Sequence, residues 1–190
     1  GYVDSEGETL PFYYLASGLA GQRAGAAPHA PLSNVPLPGT VLNETRLFSE
    51  DHLNIIGSGG VWIVDMDDDG VVKTRHQLTT IADYVKLNER EDSVTSNIEH
   101  ISREMLTNTS DLYGQGNVSP AMLSLIAARI RNLTLSISSR KYSDTIGPQL
   151  IDSSINKLRI NESLQDNIDV EIDPELPVPL NGLNIRFTIG

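Results

Sequence analysis

Near its C-terminal end the chain contains two segments in which apolar and polar residues alternate with a period of two. They run from Ile168 to Asp173 and from Leu183 to Ile189. Successive side chains of a strand point to opposite faces, so this alternation is typical of strands with one buried face. The connection contains Pro174, Pro177 and Pro179, a density that excludes a helix. The sequence therefore predicts a C-terminal β-hairpin or extended arm over residues 168–189.

A second hairpin is predicted in the middle of the chain. The apolar runs Gly60–Asp65 and Val71–Leu78 flank an Asp-rich turn that ends at Gly70. Two such runs around an Asp-Gly turn favour antiparallel pairing. The preceding segment, residues 49–57, predicts a helix that Ser49 caps and Gly57 ends.

Three further segments have helical signatures. Residues 11–20 begin with Pro11, which suits the first turn of a helix, and are rich in small residues. Residues 25–40 form a Pro-rich loop after this segment. Residues 91–106 place apolar side chains at helical spacing. Residues 119–137 begin with Ser119-Pro120, a typical cap and first turn, and continue with an apolar stripe.

These elements predict a mixed α/β fold. We expect a central sheet that contains the 61–78 hairpin, with helices near 91–107 and 119–137 packed on it. We expect the C-terminal hairpin to lie at one edge. The predicted domains are a core over 1–165 and an arm over 166–190. The chain begins with Gly1 and not Met, so we interpret it as the C-terminal portion of a longer protein.

Composition excludes several kinds of function. The formal net charge is -11, which disfavours binding to phosphate backbones, so no nucleic-acid partner is expected. No apolar run approaches the roughly 20 residues of a spanning helix, so no membrane insertion is expected. Cysteine is absent, which excludes thiolate metal ligands and a cysteine nucleophile. We expect no catalytic residue and no cofactor.

One acidic segment is a weak candidate for a metal site. Residues 65–70 match the first half of a calcium loop, D-x-D-x-D-G, with Asp65, Asp67 and Asp69 as ligands. The twelfth position holds His76 where such a loop needs a bidentate Glu. The flanks also predict strands and not helices. A plain acidic hairpin turn is therefore the favoured interpretation.

Several short motifs, in this order, resemble the tail sheath family of contractile-tailed bacteriophages. Leu32–Gly39 resembles that family's s-N-x-P-L-x-G loop, which follows a small-residue helix. Val61–Thr80 is similar to its hairpin with a closing v-R-x-x-T-T strand, here with three residues between Arg75 and Thr79. Leu112–Asn117 looks like its y-i-G-x-x-N loop, and Val170–Ile185 its v-x-l-P-x-P-L-x-x-I ending. The resemblance extends over most of residues 10–189.

The resemblance implies a structural subunit and not an enzyme. Such subunits stack as hexameric rings in a helical array around a tail tube protein, between baseplate and tail terminator proteins. They contract to drive the tube through the host envelope. The implied location is the virion tail, assembled in the bacterial host cytoplasm. Terminal arms add strands to a neighbour's sheet, and an exposed strand edge suits this role. The predicted inter-subunit strand consists of Leu183, Asn184, Ile185, Arg186, Phe187, Thr188 and Ile189.

Three alternatives remain open at this point. The first is the sheath of a phage-derived injection or bacteriocin machine, which the same motifs would fit. The second is an α/β metal-dependent hydrolase, supported only by the acidic loop and by scattered Ser, His and Asp residues. The third is a small module that binds a basic protein surface, which the charge of -11 would favour.

Overall fold

A computed structural model of the chain describes residues 2–3, 6–37, 41–42, 48–81 and 87–180. The helices are α1 Phe12–Gly25, α2 Glu50–Ser58, α3 Leu87–Arg90, α4 Asp92–Thr109 and α5 Pro120–Ser139. The strands are β1 Tyr2–Val3, β2 Thr9–Leu10, β3 Val41–Leu42, β4 Ile63–Met66, β5 Val72–His76, β6 Asp152–Ile160 and β7 Ile168–Glu175. The described part of the chain is therefore mixed α/β, which confirms the predicted fold class.

Two helices begin where the sequence predicts. The Ser49 hydroxyl accepts a hydrogen bond from the backbone amide of His52 and caps α2. The Ser119 hydroxyl accepts one from the amide of Met122, and Pro120 occupies the first turn of α5. Each cap satisfies an amide that the helix itself cannot pair.

Helix α1 is longer than the predicted 11–20 segment. It continues to Gly25, and Arg23 near its end reaches into the following loop. The Arg23 guanidinium donates to the backbone carbonyls of Ala27, Pro28 and Ala30. A basic side chain in the last turn also suits the negative end of the helix. These contacts stabilise both the end of α1 and the start of the Pro-rich loop.

The strands are distributed over small antiparallel sheets instead of one central sheet. In the described residues β1 lies between β2 and β3, β4 pairs only with β5, and β6 pairs only with β7. The chain divides into two compact units, and the boundary falls inside α4, between Thr95 and Ser96. The hairpin β4–β5 belongs to the first unit, and α5 belongs to the second.

The first unit comprises described residues within Gly1–Thr95 and within Val178–Gly190. Its β4–β5 hairpin turns at Asp67–Gly70, as predicted, and Gly70 has a φ of 79°. The Pro-rich loop pairs with the other edge of β5 through Asn34 N to Thr74 O (2.6 Å), Leu37 N to Val72 O (2.9 Å) and Thr74 N to Val35 O (3.0 Å). The segment predicted to be only a loop therefore extends this sheet.

Buried polar side chains connect the elements of the first unit. Thr74, Gln77 and Glu91 are each 2% exposed or less. Thr74 Oγ1 donates to Leu32 O, and Gln77 Oε1 accepts from Leu32 N at 3.1 Å. His76 Nε2 lies 2.7 Å from Glu91 Oε1. Because buried polar groups need partners, this network fixes the positions of β5, the loop and the start of α4.

The second unit is Ser96–Pro177 and contains most of α4 together with α5, β6 and β7. Its core consists of Ile101, Leu133, Ile137 and Leu150, with Met105 and Leu176 packed against it. Ile137 and Leu150 are completely buried. Helix α5 carries two of these residues, Leu133 and Ile137, which belong to the apolar stripe predicted for residues 119–137.

The first strand of the predicted C-terminal hairpin is present as β7, and it has a partner that the sequence did not indicate. Strand β7 pairs with the preceding strand β6, with Ile160 opposite Ile168 and Asp152 opposite Glu175. The alternation of β7 was recognised in the sequence, but its partner β6 was not. Residues 183–189, the predicted second strand, lie outside the described residues. The predicted division into a core, residues 1–165, and an arm, residues 166–190, refers to contacts between subunits and stays a prediction.

Among the described residues, none of the helices combines the length and the apolar character that a membrane span requires.

Candidate assembly interface

The β6–β7 hairpin is long for a two-stranded sheet and remains poorly covered. Every residue of the two strands is half-buried or exposed. The apolar side chains of Ile160 and Val170 are 39% and 38% exposed. An isolated hairpin is only marginally stable in water, and α5 is the described helix that makes extensive contacts with it, through β6. The hairpin therefore has apolar surface available for another element.

The outer edges of the hairpin meet no other strand of the part of the chain that the structure describes. The amide of Asn161 donates to the carbonyl of Asn167 at 2.9 Å, which establishes the phase of the ladder. In that phase the amides of Asp169 and Glu171 face β6, and the amides of Ile168 and Val170 face outward. The outer edge of β7 thus offers donors and acceptors to an added strand.

A groove of about 660 Å³ lies between β7 and the helices α4 and α5. Its walls are apolar residues of α4 and α5, among them Met105, Ile126 and Ile130. Asp166 and Asn167 line it just before β7, and Ile168, Asp169, Val170 and Ile172 line it within the strand. Because side chains alternate between the faces of a strand, Ile168, Val170 and Ile172 share one face, and this face borders the groove. A strand added to the outer edge of β7 would continue that face beside the apolar walls.

Charged and polar side chains near the turn of the hairpin contact one another. Arg159 lies opposite Asp169, with Nε 3.9 Å from Oδ2, and its Nη1 is 2.6 Å from Glu162 Oε1. Asn161 Nδ2 donates to Asp169 Oδ1 at 2.9 Å. The cationic partner of Asp169 is therefore Arg159, which belongs to the strand that the sequence did not indicate.

The acidic turn is held by its own backbone. Asp67 Oδ1 accepts hydrogen bonds from the amides of Asp69 and Val71, at 3.1 and 2.8 Å. Asp67 Oδ2 lies 2.5 Å from Lys73 Nζ. The Lys73 hydrogen bond, followed by that from Val71, keeps the pKa of Asp67 below its ordinary value. Its carboxylate is thus used to shape the turn.

The other two candidate metal ligands have different surroundings. Asp65 Oδ1 accepts from the amide of Met66 at 2.9 Å, and its Oδ2 is 4.0 Å from Arg75 Nη1. The Asp69 side chain is exposed. In the part of the chain that the structure describes, no group of three or more His, Asp or Glu side chains is arranged to hold a metal ion. The metal-site interpretation of Asp65, Asp67 and Asp69 gains no geometric support.

One Ser–His contact bears on the hydrolase alternative. Ser49 Oγ lies 3.1 Å from His52 Nδ1 at the start of α2. The same hydroxyl caps the helix, and both residues are exposed. None of the hydrogen bonds among the described residues joins a carboxylate to the ring of His52. This contact therefore lacks the third group that orients a catalytic base.

No family model matches the chain, and no curated protein matches it. Solved structures do. A chain of the anti-feeding prophage baseplate has a TM-score of 0.72 at 13% identity, covering 99% of this chain and 52% of that one. A chain of the anti-feeding prophage helical sheath in its contracted state gives 0.71 at 14%, covering 98% and 54%.

A third similar structure comes from a bacterium. It is a sheath tail protein from Listeria innocua, with a TM-score of 0.57 at 17% identity, covering 82% of this chain and 38% of that one. The chain thus spans about half or less of the proteins that it matches. It has the fold found in tail sheath proteins, and the predicted resemblance is confirmed at the level of the fold.

Proposed function

We propose that this chain is part of a structural, non-enzymatic subunit of a contractile tail sheath. The subunit polymerises around a tail tube as hexameric rings in a helical stack, between baseplate and terminator proteins, and shortens to drive the tube through the host envelope. It resides in the tail of the particle after assembly in the bacterial cytoplasm. The shared fold supports this role, whereas the hydrolase alternative receives no support from it.

The likeness to anti-feeding prophage chains equally supports a sheath on a particle derived from a prophage, the runner-up among the sequence-based hypotheses. Both hypotheses require the same molecular property, which is ordered association of many copies. The observation that carries the proposal is therefore common to both. It is the half-exposed β6–β7 hairpin, whose strand β7 borders an apolar groove.

We expect residues 183–189 of a neighbouring copy to add a strand to the β7 edge. Their alternation supplies one apolar face for the groove and one polar face for solvent. The Pro-rich approach after β7, which contains Pro177 and Pro179, would act as a semi-rigid spacer. Contraction would then be a rigid-body rearrangement of subunits with the strand links kept as hinges.

The test uses the full-length protein and two variants at one position. Val170→Pro removes an amide that faces outward from β7 and leaves the ladder to β6 intact, because proline is tolerated on an open edge. Val170→Ala removes the side chain and keeps the amide. We expect Val170→Pro to abolish polymers in electron micrographs and Val170→Ala to retain them, with both variants folded by circular dichroism.

Deletion of residues 181–190 tests the donor strand in the same assay. We expect a folded protein that does not assemble. Normal polymerisation of this deletion variant would contradict the assignment of residues 183–189 as the donor strand. Normal polymerisation of Val170→Pro would contradict the assignment of the β7 edge as the acceptor. Absence of polymers from the unmodified protein, alone and with a tube protein, would contradict the sheath function itself.

A further inference from the structure

The second unit contains a basic hollow in a chain that is otherwise strongly acidic. The hollow has a volume of about 300 Å³ and lies between α4 and the C-terminal end of α5. Three potentially cationic side chains line it, His100, Arg103 and Arg140, together with the carboxylate of Glu104. The cavity lined by these four side chains is called the basic hollow.

Glu104 is shared between two of the three cationic groups. Its Oε1 accepts a hydrogen bond from Arg140 Nη1 at 2.8 Å and lies 3.1 Å from His100 Nε2. Arg103 is exposed and forms no ion pair with any residue that the structure describes. Two guanidinium groups against one carboxylate leave the basic hollow with a net charge of +1 when His100 is neutral. This net positive charge favours the binding of a further carboxylate.

Unmatched carboxylates stand at the tip of the β4–β5 hairpin. Asp68 and Asp69 are exposed, and neither side chain forms an ion pair with a described residue. Asp67 holds the turn rigid through Lys73 and two backbone amides. The tip therefore presents two negative charges on a pre-organised turn. Pre-organisation lowers the entropic cost of a contact.

We propose that the basic hollow of one copy receives the Asp68–Asp69 tip of a second copy. This inference rests on the proposed function, because it presumes that copies associate. Its physical reason is charge. The surfaces of this chain, with a net charge of -11, repel each other between copies, so ordered contact favours places where opposite charges meet. Guanidinium groups bind carboxylates with defined geometry, so this contact would also set the register between copies.

Charge reversal in the full-length protein tests the contact. Arg103→Glu and Asp68→Lys each replace an attraction by a repulsion, and we expect roughly a tenfold rise in the protein concentration at which polymer forms. Arg131→Glu and Asp144→Lys are the matched controls, since both residues are exposed and lie outside the hollow and the tip. We expect the controls to assemble within about twofold of the unmodified protein.

An equimolar mixture of Arg103→Glu and Asp68→Lys proteins separates a contact between copies from one within a copy. In an alternating assembly the carboxylate introduced into one variant would face the ammonium group introduced into the other. The retained Arg103 would likewise face the retained Asp68, so both contacts become attractive. We expect the mixture to assemble at close to the unmodified concentration. Rescue in a chain that carries both substitutions, but not in the mixture, would place the contact within one chain and overturn the proposal.

Two other outcomes would also overturn it. If Arg103→Glu impairs assembly and Asp68→Lys does not, the hollow receives an acidic partner other than this tip. If both variants assemble like their controls, the contact does not exist, although the sheath function would stand because the polymers still form.

Discussion

The side-chain amide of Asn97 donates a hydrogen bond of 2.8 Å to the backbone carbonyl oxygen of Gln149, and both residues are completely buried. This bond ties α4 to the segment that leads into β6. Asn97→Ala would leave a buried carbonyl without its donor, at a cost of roughly 1–3 kcal/mol in the free energy of unfolding. Urea denaturation measures this loss. Asn108→Ala, exposed on the same helix, is the control, and an equal effect of the two changes would contradict the structural role of Asn97.

Truncation of the core of the second unit should show how far α5 depends on packing. Ile137 is completely buried, whereas Leu135 on the same helix is 66% exposed. Ile137→Ala loses apolar burial and leaves a cavity, so we expect a loss of roughly 2–5 kcal/mol in the free energy of unfolding. Leu135→Ala should change it by less than about 0.5 kcal/mol. Similar denaturation midpoints for both variants would contradict the assigned face of α5.

Local signals in the sequence predicted most of the helices and the central hairpin. Ser49 and Ser119-Pro120 have the expected capping roles, and the Asp67–Gly70 turn joins β4 to β5. These signals depend on neighbouring residues, which is why a single sequence reveals them. The alternation of β7 was equally clear, yet its partner depends on a contact between distant residues.

Strand β6 was not predicted from the sequence because its alternation of apolar and polar residues is interrupted. The register shifts between Ile155 and Lys157, so Asn156 is an extra residue in the ladder. A bulge moves the following apolar residues to the other phase and hides the period of two. The groove along β7 was missed for the same reason, since it exists only once β6 holds β7 beside the helices.

The Pro-rich loop shows a different limit. Proline density argued against any strand between residues 25 and 40, yet Pro36 bridges to Lys73 in antiparallel register. The bonds from Leu37 N to Val72 O and from Thr74 N to Val35 O flank that bridge. At such a position the residue's own amide points away from the partner strand, so proline loses nothing.

Two glycines with nearly equal positive φ angles should respond differently to alanine. Gly60 and Gly70 have φ values of 78° and 79°. A Cβ on Gly60 would lie 2.6 Å from the carbonyl oxygen of Thr79, while a Cβ on Gly70 would meet nothing within 4 Å. Gly70→Ala therefore carries only the strain of a left-handed residue, roughly 1–2 kcal/mol. Gly60→Ala adds a backbone clash and should cost at least about 1 kcal/mol more. Thermal unfolding of both variants measures the difference, and equal melting temperatures would contradict the close approach of Thr79.

Acidification should weaken the ion pair at the end of α5. The hydrogen bond from Arg140, with a smaller contribution from His100, holds the pKa of Glu104 below its ordinary value of 4.5. A carboxyl with a lowered pKa stabilises the folded state above the unfolded-state value, and this contribution disappears as the pH falls through the folded-state value. We expect Glu104→Gln to cost roughly 0.2–1 kcal/mol at pH 7, the range for partly exposed pairs.

The difference in unfolding free energy between the unmodified protein and Glu104→Gln should therefore shrink as the pH is lowered from about 5 to about 3, because the carboxyl of the unmodified protein becomes neutral. Urea denaturation at a series of pH values between neutrality and that lower limit measures it. Glu99→Gln is the matched control, as Glu99 is exposed on the same helix and forms no ion pair with the described residues. Its effect should stay small at each pH. A Glu104→Gln effect that stays constant over the whole series would contradict this assignment, because the two side chains have the same length and only the carboxyl of Glu104 changes its charge over this range.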